Sequence, residues 1–263
     1  HVLSRVEAYP DTETFLREFD VQSLRDEAVL VKGARIFAFE RIVDALVLKV
    51  HGTSLEINLD ALSRNLNHFR KMLRPAVKTM AMVKAFAYGS GSFEVANLMQ
   101  LQRVDYLGVA FVDEGINLRK HGISLPIMVM NTTPGSVARI FEFDLEPEIY
   151  SLRFLHEIAA FARETDKAVP VHVKFDTGMH RLGFDETSIG KLIEVVQNHD
   201  NIQVQSVFTH LAASDDPKHD RFTRDQVALF EQLTDRFVAA TASQPLLHVL
   251  NSAGISRYPE FQF

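Results

Sequence analysis

Short, nearly continuous apolar runs alternate along this chain with stretches in which apolar residues recur every three or four positions. Runs of the first kind are typical of buried parallel strands, whereas the second spacing gives a helix one apolar face. The runs predict strands at 54–58, 78–84, 105–110, 126–130, 145–150, 170–176, 204–210 and 246–251.

Several stretches between these strands carry a helical stripe. The stripes are Leu62/Leu66/Phe69/Leu73, Phe154/Ile158/Phe161, Ile189/Ile193/Val196 and Val227/Phe230/Leu233/Phe237. Ser151 precedes the second stripe as an N-cap, and Asp185 precedes the third. Gly122 follows Arg119 and Lys120, where a further helix that begins near Asp113 should end.

Repeated strand–helix units imply a parallel sheet with right-handed crossovers. An open doubly wound sheet and a closed (β/α)8 barrel both fit this α/β pattern. The number of units in 263 residues favours the TIM-type barrel. Only seven strands follow from 78–84 onward, so we expect a barrel that lacks its last strand.

Residues 1–50 have a different character. The run AVLVKGAR at 28–35 predicts a short buried strand and a turn, and FAFERIVDAL at 37–46 predicts a helix. The segment is too short to bury a core alone. It is either an extension packed on the barrel or the tail of another domain. Because the chain begins with His1 and not with methionine, we expect a piece of a longer protein.

Composition narrows the functional classes. The net charge of −6, without a long block of one sign, argues against nucleic acid as the main partner. The absence of cysteine excludes a disulfide framework and a thiolate metal site, and no metal site is predicted. No apolar run approaches the roughly 20 residues of a membrane span, and no secretory leader opens the chain. We expect a cytoplasmic protein without a membrane partner.

Polar side chains recur where the predicted strands end, which is where parallel barrels place their reactive groups. These side chains are Lys84, Tyr88, Lys174, Arg181, His210, Asn251 and Ser252. Each alone has an ordinary explanation: a solvated lysine, a structural histidine, a turn. Because all of them are expected at the same edge of the sheet, together they favour a functional site there.

Side chains of these types suit imine formation with a carbonyl cofactor, because lysine is the nucleophile in that reaction. Pyridoxal 5′-phosphate needs that lysine, a phosphate site and a partner for its ring nitrogen. Barrels bind phosphate in the loops after strands 7 and 8. The NSAG sequence at 251–254 begins at the end of the strand predicted at 246–251, which is the seventh when counted from 78–84.

Four motifs resemble those of alanine racemases, in the order of that family. They are VKAFAYGSG at 83–91, KFDTGMHRLGF at 174–184, FTHLAASDD at 208–216 and HVLNSAG at 248–254. Fold type III amino-acid decarboxylases and small single-domain pyridoxal-phosphate-binding proteins share the lysine after the first strand. They resemble the other three motifs much less well.

The resemblance implies pyridoxal-phosphate-dependent racemisation of L-alanine to D-alanine by a homodimer, for peptidoglycan synthesis. Lys84 would carry the cofactor as an internal aldimine and would move the α-proton on one face of the substrate. Tyr88, Asn251 and Ser252 would hold the phosphate.

The remaining roles also come from the resemblance. Arg181 would contact the phenolic oxygen of the cofactor and help to place the substrate carboxylate. His210 would orient the catalytic tyrosine of the opposite face. Lys174 matches a position that is often carbamylated in the family. Ser90 and His180 differ from the residues that are common in the family, and both differences fall in loops.

The sequence AVLVKGARIFAFERIVDAL resembles the last strand and helix of the Mur ligase that adds D-alanyl-D-alanine to the peptidoglycan precursor. This resemblance implies a ligase tail and linker at 1–50 and a racemase barrel at 51–263, in a fused ligase–racemase. The family carries its second base and its ring-nitrogen partner beyond the seventh strand. We therefore expect the chain by itself to be inactive.

Three hypotheses remain open at this point. The chain is an alanine racemase barrel, or a non-catalytic pyridoxal-phosphate-binding barrel in cofactor homeostasis, or a scaffold without a cofactor. In the third hypothesis Lys84 is only a rim residue. A cofactor absorbance band that depends on Lys84 separates the first two hypotheses from the third.

Overall fold

The computed structural model of this chain describes residues 6–20, 24, 29–33, 37–46, 56–133 and 135–263. The chain divides into two compact units, His1–Glu56 and Ile57–Phe263. The predicted domain boundary, between residues 50 and 51, lies outside the described residues.

Seven parallel strands form one sheet in the second unit, in the order of the sequence. They are β1 (Met80–Met82), β2 (Tyr106–Phe111), β3 (Ile127–Asn131), β4 (Glu146–Ile149), β5 (Val169–Lys174), β6 (Ile202–Phe208) and β7 (Leu246–His248). Every adjacent pair is parallel, as the buried apolar runs predicted. The seven strands predicted from 78–84 onward are confirmed, although most are shorter than predicted.

A helix follows each strand, which is the repeating unit that the sequence predicted. The helices of this unit are Leu59–Arg70, Ser92–Leu101, Val112–Lys120, Val137–Glu142, Leu152–Thr165, Ile189–Gln197, Asp220–Thr241 and Ser252–Arg257, with single 3-10 turns at Pro217–His219 and Pro259–Phe261. The Ser151 side chain caps its helix by accepting a hydrogen bond from the Phe154 amide. Gly122 lies just beyond Lys120 with a φ of 86°.

The apolar stripes of the helices cover the outer face of the sheet. Ile158, Leu192, Phe230 and Phe237 are fully buried there, together with the outward-facing valines of β5. Because these positions recur at helical spacing, burial of one face stabilises each helix against the sheet. The cluster is one continuous core along the described strands.

Two of the predicted strands are wrong over the residues that the structure describes. Residues 56–58 of the strand predicted at 54–58 form no strand, because Asn58 instead caps the helix Leu59–Arg70. Residues 29–33 of the strand predicted at 28–35 also form none, and Leu30 is 87 % exposed. The other residues of both runs lie outside the described part of the chain. The helix predicted at 37–46 is confirmed as Glu40–Leu46, and the same unit contains the helix Thr12–Glu18.

The sheet is strongly curled, and its concave face is polar. The rings of Tyr106 on β2 and His172 on β5 lie 5.6 Å apart, although two strands separate β2 from β5. His172 contacts the Glu146 carboxylate at 2.8 Å and the Ser206 hydroxyl at 2.7 Å. The Ser206 oxygen lies 3.1 Å from Nε2 of His248. Side chains of four neighbouring strands therefore form one polar chain inside the curl.

A cavity of about 280 Å³ lies between the two edge strands, β1 and β7. Its walls include Met80, Leu247 and Phe261, and His172 and Ser206 face it from the concave side. None of the helices in the described ranges combines the length and the apolar composition that a membrane crossing needs.

Candidate active site

Lys84 stands just beyond the carboxyl end of β1, at the start of an unusual turn. Ala85, Phe86 and Ala87 have φ near 50° and ψ between 43° and 52°, so the segment Lys84–Tyr88 turns with left-handed backbone geometry. Gly89 continues the positive φ. A left-handed backbone costs roughly 1–2 kcal/mol for each residue that carries a side chain. Contacts around the turn must therefore hold it.

Glu114 is one of the residues that hold this turn. Its Oε1 accepts a hydrogen bond from the Ala85 amide at 2.7 Å. Its Oε2 accepts hydrogen bonds from the amides of Ala110 and Phe111 at 2.7 Å and 3.1 Å. Hydrogen bonds to a carboxylate are stronger than those between neutral groups. Glu114 thus fixes the backbone next to Lys84 against the end of β2.

Lys174, the last residue of β5, meets a carboxylate inside the curl. Its Nζ lies 3.5 Å from Oε1 of Glu148 on β4, and the two side chains are 3 % and 1 % exposed. The same ammonium lies over the Phe208 ring, 5.5 Å from its centroid. Burial raises the pKa of Glu148 to about 7, although Lys174, Arg181 and Lys84 all act to lower it.

The loop after β5 carries Arg181. The chain returns to the end of β5 in a parallel bridge, through two backbone hydrogen bonds of 2.9 Å, from the Asp176 amide to Phe184 and from the Phe184 amide to Lys174. Gly183 makes the return possible, since a Cβ there would lie 2.7 Å from the Asp176 nitrogen, and its φ is 127°. The Asp176 carboxylate accepts hydrogen bonds from two further amides of the loop.

His210 follows β6 and faces the same group of cations. Burial lowers the pKa of His210, and the positive charges of Lys174, Arg181 and Lys84 lower it further. The neighbouring Thr209 is fixed by its hydroxyl, which donates to the Phe175 carbonyl at 2.9 Å. Burial and the nearby cations both favour the neutral imidazole over the imidazolium.

Asn251 and Ser252 stand at the start of the helix that follows β7. The Asn251 Oδ1 accepts hydrogen bonds from the Gly254 amide at 2.9 Å and from the Ser214 hydroxyl at 2.8 Å. The Asn251 side chain is thus used to cap the helix, whereas Ser252 is exposed. Tyr88 is 66 % exposed on the left-handed turn. Phosphate binding by these three residues stays a prediction.

The structure brings together four of the residues predicted from the strand ends. Lys84, Lys174 and Arg181 all act electrostatically on Glu148 and on His210, so the four share one edge of the curled sheet with that carboxylate. The described residues contain no cluster of three histidine or acidic side chains placed to bind a metal ion.

Sequence reasoning missed the acidic side of this site. Glu148, Glu114 and the Glu146–His172 pair were not predicted. A signal was present for two of them: LEPEIY places charges at 146 and 148, two residues apart on one face of a strand that should be buried. Charged residues there need partners, and His172 and Lys174 on the next strand have the same spacing.

The chain resembles known proteins in both sequence and structure. Residues 57–263 match the family described as "Alanine racemase, N-terminal domain". Alanine racemase 2 of Caldanaerobacter subterraneus subsp. tengcongensis is 32 % identical over 210 residues, which cover 79 % of this chain and 54 % of that protein. Alanine racemase of Treponema denticola is 33 % identical over 217 residues, which cover 81 % and 57 %.

Among solved structures, the alanine racemase of Clostridium difficile 630 in complex with cycloserine superposes with a TM-score of 0.74 at 35 % identity. The match covers 78 % of this chain and 57 % of that one. The chain thus spans about half the length of the curated relatives that it matches.

Proposed function

The chain belongs to the alanine racemase N-terminal domain family, and on that basis we propose that its barrel takes part in the pyridoxal-phosphate-dependent interconversion of L-alanine and D-alanine. Members of this family depend on pyridoxal 5′-phosphate. The observation that carries the proposal is the meeting of Lys84, Lys174, Arg181 and His210 at the carboxyl edge of one curled sheet.

The side chains present fit such a cofactor chemically. An aldehyde needs a primary amine, and Lys84 offers one at the mouth of the sheet. A phosphate needs hydroxyl and amide donors, which the exposed Ser252 and Tyr88 and the helix start at 252 offer. A phenolate oxygen needs a cation, and Arg181 lies in the loop that follows β5 at the same edge.

Each residue then has a definite task. When bound, the cofactor makes the α-proton of the amino acid acidic by withdrawing electrons from the α-carbon. Lys84 Nζ takes that proton from one face or returns it there. The Arg181 guanidinium binds the substrate carboxylate, and His210 orients the group that serves the other face. Racemisation needs a base on each face, and Lys84 is one of them.

The wider assignments belong to the same proposal. A homodimer would supply the second base across its interface, and D-alanine would serve peptidoglycan synthesis in the cytoplasm. The N-terminal unit would derive from a fused Mur ligase. Support for that origin comes from its separate compactness, the helix Glu40–Leu46 and the start of the family match at residue 57.

Cofactor attachment at Lys84 is the decisive test. The purified chain is incubated with pyridoxal phosphate and its absorbance is recorded near the edge of the visible range. We expect a band that Lys84→Ala removes. Reduction with borohydride should then fix the cofactor to the peptide that contains Lys84, as read by mass spectrometry.

Lys78→Ala is the matched control, because Lys78 is an exposed lysine before the opposite end of β1. It should leave the band unchanged. A band that survives Lys84→Ala, or the lack of any band in the unmodified chain, would reject the proposed site. Conversion of L-alanine to D-alanine, measured on the same samples, separates the racemase from a non-catalytic cofactor-binding barrel.

A further inference from the structure

Both neighbours of Lys84 in the chain are tied to β2. On one side, the Val83 amide donates a hydrogen bond of 2.8 Å to the Gly108 carbonyl, which continues the pairing of β1 with β2. On the other side, the Ala85 amide donates to Oε1 of Glu114 at 2.7 Å. The second contact depends on a single side chain. The backbone that carries the Lys84 amine is therefore fixed, beyond β1, by Glu114.

The left-handed turn itself offers little that could replace this contact. Its internal hydrogen bonds begin with the Ala87 amide, which donates to the Val83 carbonyl at 3.0 Å. The Ala85 amide comes before that bond, and the first amides of a helical turn have no partner inside it. Ala85, Phe86 and Ala87 have φ between 52° and 54°, a region that residues with a Cβ avoid. The turn therefore needs an acceptor from outside, which Glu114 supplies.

Glu114 uses both of its carboxylate oxygens as acceptors. Oε2 accepts hydrogen bonds from the amides of Ala110 and Phe111, just before the helix Val112–Lys120. Oε1 reaches across to the turn. All three partners are N–H donors, and a carboxamide cannot satisfy them all, because it has one oxygen and one NH2 group. In Glu114→Gln, an oxygen kept on the two β2 amides leaves the NH2 group facing the Ala85 amide.

We propose that Glu114 is a positioning residue of the proposed site, which holds the left-handed turn so that the Lys84 amine stays at the carboxyl edge of the sheet. The inference rests on the proposed function, because it gives Glu114 a part in cofactor attachment. In that attachment the unprotonated Lys84 amine bonds through Nζ to the aldehyde carbon, and the aldehyde oxygen leaves as water with both amine protons. An amine that is fixed beforehand loses less entropy when the cofactor binds.

Hydrogen exchange read by mass spectrometry tests the contact without cofactor. In Glu114→Gln, amides at 84–88 should exchange at least about tenfold faster than in the unmodified chain, because a hydrogen bond to a charged group is lost. Amides at 106–111 should keep their rates, since the remaining oxygen still serves β2. Asp113→Asn is the matched control, because Asp113 lies in the first turn of the same helix but is 86 % exposed and contacts Arg139. It should change neither segment.

Titration with pyridoxal phosphate measures the consequence for Lys84. The Lys84-dependent absorbance band should need about ten- to a hundredfold more cofactor for half-saturation in Glu114→Gln. Asp113→Asn should match the unmodified chain. Adding Ala85→Gly to Glu114→Gln should recover part of the loss, because glycine adopts a positive φ without the steric cost. If Glu114 only stabilised its own helix, a change in the turn would not restore cofactor attachment.

Unchanged half-saturation or unchanged exchange at 84–88 in Glu114→Gln would overturn the inference, and so would a loss that Ala85→Gly does not reduce. Circular dichroism checks that each variant folds. If Glu114→Gln does not fold, exchange in the unmodified chain decides: the inference requires protection of at least about tenfold at 84–88, and exchange as fast as in an unstructured peptide would reject it. Failure of the proposed function would instead appear as the lack of any Lys84-dependent band in the unmodified chain, whereas the exchange experiment needs no cofactor.

Discussion

Burial and charge act in opposite directions on Glu148, and burial prevails. Its pKa in the folded chain is raised to about 7 from an ordinary value of 4.5. Between those two pH values the folded chain binds more protons than the unfolded chain, so the stability that this carboxyl contributes is lost as the pH rises. The free energy of unfolding should fall across this window by up to about 3 kcal/mol from this group.

Urea unfolding from pH 4.5 to pH 8 measures this effect. Glu148→Gln should lack the decline, because its amide does not titrate. Glu142→Gln removes an exposed carboxyl close by in the sequence and should keep the pH dependence of the unmodified chain. Identical pH profiles for the unmodified chain and Glu148→Gln would refute the assignment of a raised pKa to this residue.

His210 gives a second prediction at the scale of single residues. Its pKa is lowered first by burial and then by Lys174, Arg181 and Lys84. Of these three cations, Lys174 lowers the His210 pKa most. Lys174→Met removes its charge, so the midpoint of the His210 titration should move up towards 6.5. NMR of labelled histidine measures the midpoint directly. Lys167→Met, an exposed lysine in the turn before β5, should leave it in place.

At the scale of elements, the sequence predicted the strands and most helices but not the turn that carries Lys84. Apolar runs such as IMVM and VHVKF identify strands because burial on both faces requires them. No comparable pattern marks a left-handed turn: Ala85, Phe86 and Ala87 are ordinary residues there, and only Gly89 and Gly91 suggested positive φ. Tertiary contacts, including the Glu114 carboxylate, impose that geometry.

The sequence likewise predicted the basic residues of the candidate site but not their acidic partners. Lysine and arginine at strand ends stand out in a sequence, because a buried strand rarely ends in a charge without reason. Their carboxylate partners do not stand out, since the pairing of Glu148 with Lys174 depends on the register between β4 and β5. That register follows from the packing of the whole sheet.

The left-handed turn leads to a prediction about stability. Ala85 is exposed with a φ of 52°, so Ala85→Gly should relieve backbone strain and raise the free energy of unfolding by about 1 kcal/mol. Ala228→Gly is the matched control, because Ala228 is exposed in the middle of the right-handed helix Asp220–Thr241. It should lower the free energy by about 1 kcal/mol. A loss of stability in both variants would contradict the left-handed geometry.

At the scale of the whole molecule, the curled sheet has, among the residues that the structure describes, five strands that pair on both sides and two that pair on one side only. The edge strands β1 and β7 have three residues each, and they flank a cavity of about 280 Å³. Backbone groups on an unpaired edge open to water more readily and are also free to pair with another chain. The stability of the sheet should therefore fall from β5 and β6 towards both edges.

Hydrogen exchange read by mass spectrometry measures this gradient. Amides at 80–82 and 246–248 should exchange at least about tenfold faster than those at 171–174 and 204–208, a difference of about 1.4 kcal/mol in local opening. The comparison is made at two protein concentrations, because association through the edges would protect β1 and β7 selectively as the concentration rises. If the expected dimer forms through these edges, β1 and β7 should show this protection. Equal exchange across all seven strands at low concentration would show that another contact already covers the edges, and it would reject the gradient.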